Sequence, residues 1–166
     1  MNQNARPLPK PIIRRRARAA HASPKPQGHL IPMLSNGPRA AVVAVVDDDV
    51  RVLESLDELL SFAGYRVRLY RSAEEFLSTR PFGEVGCLLC DVMMPGMGGL
   101  DLLQVLRTES PHLPVILITA HGGEQIGGEQ IKTSALNKGA AFVFGKPFNG
   151  PTLLKAVHEV VERRPE

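Results

Sequence analysis

Apolar positions along the chain form two kinds of run. Val42-Val43-Ala44-Val45-Val46 and Val115-Ile116-Leu117-Ile118 are unbroken and rich in β-branched residues, the pattern of strands buried on both faces. Cys87–Cys90 and Ala141–Phe144 are shorter segments of the same kind. Tyr65–Tyr70 alternates basic and apolar residues, as an edge strand does. Other apolar residues recur at helical spacing: Val52, Leu56, Leu59, Leu60 and Ala63, then Leu100, Leu103 and Leu106, then Leu153, Leu154, Val157, Val160 and Val161. Punctuation supports these boundaries. Gly64 is placed to end the first helix, Ser72-Ala73-Glu74-Glu75 reads as a capping box before Phe76 and Leu77, and Asn149 is positioned to cap the last helix.

Five strands thus alternate with five helical segments. Parallel strands need helical crossovers, so the order predicts an α/β doubly wound sheet with helices on both faces. The expected topology is flavodoxin-like, with strand order 2-1-3-4-5, over residues 40–166.

Charge separates this body from what precedes it. Residues 1–46 hold eight basic side chains and no acid, whereas residues 47–166 hold 12 basic and 17 acidic ones. Seven of the 14 prolines lie before residue 40, where they interrupt any helix. Residues 1–39 therefore read as a basic, proline-rich tail without a fold of its own. Three readings of it stay open: translation from Met33, a solvated tail, or an arm that holds polyanions through Arg14-Arg15-Arg16-Ala17-Arg18. Any nucleic-acid binding by such an arm would be weak, salt-sensitive and nonspecific. No apolar run reaches the roughly 18 residues of a membrane span, and no apolar block follows the early charges as in a secretory signal. The expectation is a cytoplasmic protein with no membrane contact. Two cysteines are no disulfide framework.

Ligands of such sheets bind beyond the carboxyl ends of the strands, so those ends are where chemistry is sought. The first strand delivers Asp47-Asp48-Asp49, the third Asp91, the fourth Thr119 and the fifth Lys146, followed by Pro147. Each has a plain structural explanation; Asp49, for one, is well placed as a helix cap. Together, carboxylates crowded on one rim repel each other and call for a cation, and an all-oxygen donor set suits Mg²⁺. A carboxylate, a hydroxyl and an ammonium around such an ion can cradle a phosphoryl group. Cys87 and Cys90 stand three apart on a strand, so they point to opposite faces and form no joint metal or redox site. His121, Met93, Met94 and Met97 read as loop and packing residues.

The sets Val45-Val46-Asp47-Asp48-Asp49, Cys90-Asp91-Val92-Met93-Met94-Pro95-Gly96-Met97-Gly98-Gly99, Ile118-Thr119-Ala120 and Gly145-Lys146-Pro147-Phe148 resemble the motifs of response-regulator receiver domains of two-component phosphorelays. The resemblance spans residues 42–163. Tyr70–Leu77 is similar to receivers usually fused to LuxR-type DNA-binding domains. Here the chain stops soon after the fifth helix, so the expectation is a single-domain regulator without an output domain.

The resemblance implies roles. Asp91 would accept a phosphoryl group from a histidine kinase or a histidine phosphotransfer protein. Asp47 and Asp48 would hold Mg²⁺ together with Asp91 and the backbone carbonyl of Met93. Thr119 would bond a phosphoryl oxygen, and Lys146 would pair with Asp91 across a cis Lys146–Pro147 bond. Such a protein is no enzyme toward an outside substrate. It signals through a downstream protein or a homodimer formed by the fourth helix, fifth strand and fifth helix, or it serves as a phosphate shuttle or sink.

Two features depart from the family pattern. Val143 stands at the switch position, where Tyr or Phe is usual. The pentapeptide Gly-Gly-Glu-Gln-Ile occurs at 122–126 and again at 127–131, lengthening the interval from Thr119 to Gly139. Its glycines suggest that residues 120–132 are loop-like before phosphorylation. A competing reading is a haloacid-dehalogenase-like phosphatase using Asp47, which leaves Asp91 unexplained.

Overall fold

In the computed structural model the described residues are 41–120 and 128–163. The tail, His121 and the first copy of the pentapeptide lie outside them.

Five parallel strands form one sheet: β1 (Val42–Val46), β2 (Arg66–Tyr70), β3 (Val85–Asp91), β4 (Val115–Thr119) and β5 (Phe142–Gly145), in the order β2-β1-β3-β4-β5. Helices α1 (Val50–Phe62), α2 (Ala73–Thr79), α3 (Gly99–Glu109), α4 (Gly128–Asn137) and α5 (Gly150–Glu162) make the crossovers. The flavodoxin-like prediction is met in element order and topology.

Local signals act as their chemistry requires. The Asp49 carboxylate accepts the N–H of Arg51 at the start of α1, and Gly64 (φ 91°) turns the chain after it. Ser72 Oγ accepts the N–H of Glu75 at 3.1 Å, while the Glu75 carboxylate accepts the N–H of Arg71 at 2.7 Å, one residue earlier than in an ideal capping box. Asn149 Oδ1 accepts the N–H of Thr152 at 3.0 Å, with Pro151 in the first turn of α5.

Strand alternation divides the core into two layers. Val43, Val45, Cys87, Leu89, Ile116 and Ile118 pack with α1 and α5. Ala44, Val46, Leu88, Cys90 and Leu117 pack with α2, α3 and α4. Fully burying each of the larger aliphatic side chains contributes about 1.5–3 kcal/mol, which holds the strand ends in register. One expectation needs correction: residues 128–132 are not loop-like but form the first half of α4. Gly128 is buried there, and the helix closes onto the core through Ala135. Tertiary packing of that apolar face outweighs the low helix propensity of one glycine.

Candidate functional site

Registers set the site. Val46 pairs with Tyr70 and Cys90, Asp91 with Ile118, and Thr119 with Gly145. The residues that follow β1 and end β3 and β4 therefore emerge at one rim, beside Lys146 just after β5.

Asp47 is buried. Its Oδ1 accepts the N–H of Asp49 at 2.8 Å, and its Oδ2 accepts a hydrogen bond from Lys146 Nζ at 2.9 Å. Asp91 is 5% exposed. Its Oδ2 accepts the N–H of Met93 at 3.1 Å. Lys146 Nζ also stands 2.8 Å from Asp91 Oδ1, so one ammonium pairs with both buried carboxylates. Asp48 is exposed, and one carboxylate oxygen each from Asp47, Asp48 and Asp91 lie within 4.8 Å of one another. Thr119 is fully buried, and its carbonyl accepts the Lys146 N–H at 2.7 Å. The Lys146–Pro147 bond is cis.

Burial pushes the Asp91 carboxyl above its ordinary pKa. The Lys146 ammonium opposes that rise, and the charges of Asp47 and Asp48 reinforce it. Burial alone would pull Lys146 down, yet the carboxylates of Asp91 and Asp47 outweigh it and hold the ammonium protonated above its usual range. Asp49 plays a separate part. Arg51 clasps its carboxylate at 3.1 and 2.8 Å, and this hydrogen bonding lowers the Asp49 pKa to about 2. The third aspartate of the run is thus a cap with its own counter-ion, outside the cluster of three.

The structure brings together Asp47, Asp48, Asp91, Thr119 and Lys146 at one rim, and ties the backbone of Met93 to Asp91. Cys87 and Cys90 lie in opposite core layers, both buried, with thiol pKa values pushed up by burial. Val143 is partly buried against the α2–α4 layer, while Phe142 and Phe144 turn toward α1 and α5, so no aromatic of β5 faces α4. Two contacts escaped sequence reasoning. One is the bond from Lys146 to Asp47. The other is the bond from the Met97 N–H to Glu74 Oε1 at 2.8 Å, for which a separation of 23 residues leaves no sequence signal.

A 2-1-3-4-5 parallel sheet with a buried acid, an acidic pair, a threonine and a lysine at its carboxyl rim is the architecture of a receiver domain of two-component response regulators. Residues 43–158 match the model of the response regulator receiver domain, and the chain belongs to that family. Among its relatives, the response regulator protein TodT of Pseudomonas putida is 36% identical over 128 residues, covering 77% of this chain and 54% of that protein. The transcriptional regulatory protein FixJ of Azorhizobium caulinodans is 37% identical over 129 residues, covering 78% of this chain and 59% of that protein. The chain spans between half and three fifths of the length of these curated relatives. The crystal structure of FixJ-N superposes with a TM-score of 0.68 at 31% identity, over 78% of this chain and 99% of that one. Among the described residues, no helix is long and apolar enough to cross a membrane.

Proposed function

We propose that the chain receives a phosphoryl group on Asp91 from a histidine kinase or histidine phosphotransfer protein. The observation that carries this reading is the place of Asp91: a carboxylate 5% exposed at the carboxyl end of β3, with the Lys146 ammonium 2.8 Å from its Oδ1 and the carboxylates of Asp47 and Asp48 beside it. A buried acid gathered with a cation and two further acids at the carboxyl rim of such a sheet is where phosphoryl chemistry is expected. One carboxylate oxygen each from Asp47, Asp48 and Asp91 fits a hard cation, since all three lie within 4.8 Å of one another. Asp48, Asp91 and the Met93 carbonyl would hold Mg²⁺, with Asp47 assisting while it orients Lys146. Mg²⁺ bound there supplies neutralising charge to the phosphoryl oxygens.

The chain's own groups do the rest. An Asp91 oxygen forms the new O–P bond as the N–P bond of the donor phosphohistidine breaks and its imidazole leaves. Lys146 follows the charge from the carboxylate to the phosphoryl oxygens, and the Thr119 hydroxyl donates to one of them. There is no outside substrate, so the domain catalyses only its own modification and its hydrolysis. The dehalogenase-like alternative puts the nucleophile on Asp47 and gives no part to Asp91, buried at the end of β3 against Lys146. Output through a partner protein would use the α4–β5–α5 face, where Val143 replaces the usual aromatic; a shuttle or sink needs no such face.

Acetyl phosphate with Mg²⁺ tests the assignment by intact mass. The unaltered chain should gain one phosphoryl group, Asp91→Asn none, and Asp48→Ala should lose the Mg²⁺ dependence. Equal labelling of Asp91→Asn would refute it.

A further inference from the structure

We propose that Glu74 is a positioning residue of the Asp91 site, latching the β3–α3 loop from helix α2. The proposal rests on the reading of Asp91 given above.

The loop, residues 92–98, is tied down at four places. At its ends the Val92 N–H donates to the Ile118 carbonyl at 2.8 Å, and the Gly99 N–H donates to the Val92 carbonyl at 3.0 Å. Within it, the Met93 N–H holds Asp91 Oδ2. The fourth tie is the Met97 N–H on Glu74 Oε1 at 2.8 Å, reaching from a different element. The turn just before that bond is closed against the same carboxylate: Gly96 has φ 74°, and a Cβ built there would stand 2.6 Å from Glu74 Oε1.

The anchor is firm although Glu74 itself is exposed. Ala73 and Phe76, its neighbours in α2, are fully buried, and Phe76 meets the Tyr70 ring edge-on at 5.2 Å. Ser72 caps the helix. A carboxylate on such a base makes a charge-assisted bond to a backbone N–H, among the stronger hydrogen bonds a surface offers. That bond also holds the Glu74 carboxyl below its usual range. The Met93 carbonyl, wanted at the cation, follows one inner tie, its own N–H on Asp91, and precedes the other, at Met97. Freeing Met97 leaves residues 93–97 held by the packing of Met94 and Met97 on the core and by one hydrogen bond, to Asp91 itself, the group they are meant to orient. Residues that orient metal ligands in this way are commonly worth about 10–100-fold in affinity.

The test compares Glu74→Ala, which removes the acceptor, with Glu74→Gln, which keeps an oxygen at the same reach. Hydrogen exchange of the Met97 amide in the full-length, metal-free chain reports the latch. Titration with Mg²⁺ reports the site. In Glu74→Ala, Met97 should exchange faster and Mg²⁺ should bind about tenfold more weakly, the low end for a group that orients metal ligands. Glu74→Gln should stay near the unaltered chain in both. Gly96→Ala should reproduce the alanine phenotype with Glu74 intact, because its new methyl displaces the carboxylate. Unchanged Met97 exchange in Glu74→Ala overturns the latch. Faster exchange with unchanged Mg²⁺ affinity overturns its role at the site. Absence of Mg²⁺ binding in the unaltered chain overturns the Asp91 reading, and this proposal with it, before any variant is made.

Discussion

Replacing Lys146 with alanine removes one ammonium from two buried carboxylates. Its Nζ lies 2.9 Å from Asp47 and 2.8 Å from Asp91, acids that are 2% and 5% exposed. At an effective dielectric of about 20, each contact is worth roughly 6 kcal/mol of gross attraction. Most of that is spent on desolvating the three groups, so the net contribution of the cluster is far smaller. Deleting one partner nevertheless leaves the others buried without compensation, at a cost of about 3–5 kcal/mol. For a body of this size that is a fall in Tm of roughly 10 °C or more, by chemical or thermal denaturation at pH 7 without Mg²⁺. The pH dependence is diagnostic. Lys146 has a raised pKa, so its stabilisation is complete at neutral pH and is lost only as pH climbs through that value. Asp91 has a raised pKa as well, so its contribution is most favourable in acid and fades as pH rises through the folded-state value. Without the lysine that rise grows. The deficit of Lys146→Ala should therefore shrink as pH falls from neutral through the folded-state pKa of Asp91, and Mg²⁺ should recover part of it at neutral pH. A loss below about 1 kcal/mol at neutral pH, or one that does not shrink as the pH is lowered, would show that the ammonium does not hold the cluster together.

Two further outcomes follow from the same geometry. Gly99→Ala should destabilise the fold by about 1–3 kcal/mol in denaturant titrations, because its Cβ would stand 2.3 Å from the Asp91 carbonyl oxygen and neither backbone can yield; a variant as stable as the unaltered chain would contradict that packing. A carboxyl-detected NMR titration should find Asp49 half-protonated near pH 2, and Arg51→Ala should return it toward the ordinary aspartate value; an unchanged midpoint would mean that the clasp is not formed in solution.

The sheet could be read from the chain because its signals are local. Continuous Val and Ile runs mark strands covered on both sides, and Asp49, Ser72 and Asn149 announce helix starts within three residues of the groups they cap. Strand ends then place Asp47, Asp91, Thr119 and Lys146 on one rim by topology alone. What escaped was pairwise and long-range. That Lys146 reaches Asp47 as well as Asp91 depends on the depth of β1 relative to β5, which no period encodes. Glu75 serves the capping box as read, whereas Glu74, an unremarked position inside that motif, crosses to Met97. Residues 128–132 were misread because glycine propensity was weighed without the buried face that Ala135 gives the helix.

The division of β3 between two core layers has a practical consequence. The chain has no tryptophan, so fluorescence says little about its opening. Cys87 faces the α1–α5 layer and Cys90 the α2–α4 layer, and both thiols are sealed and poorly ionised. Each becomes reactive only when its own side of the sheet is uncovered. The protein thus carries two native chemical clocks, read by peptide mapping after timed alkylation, that time the departure of one helical layer independently of the other.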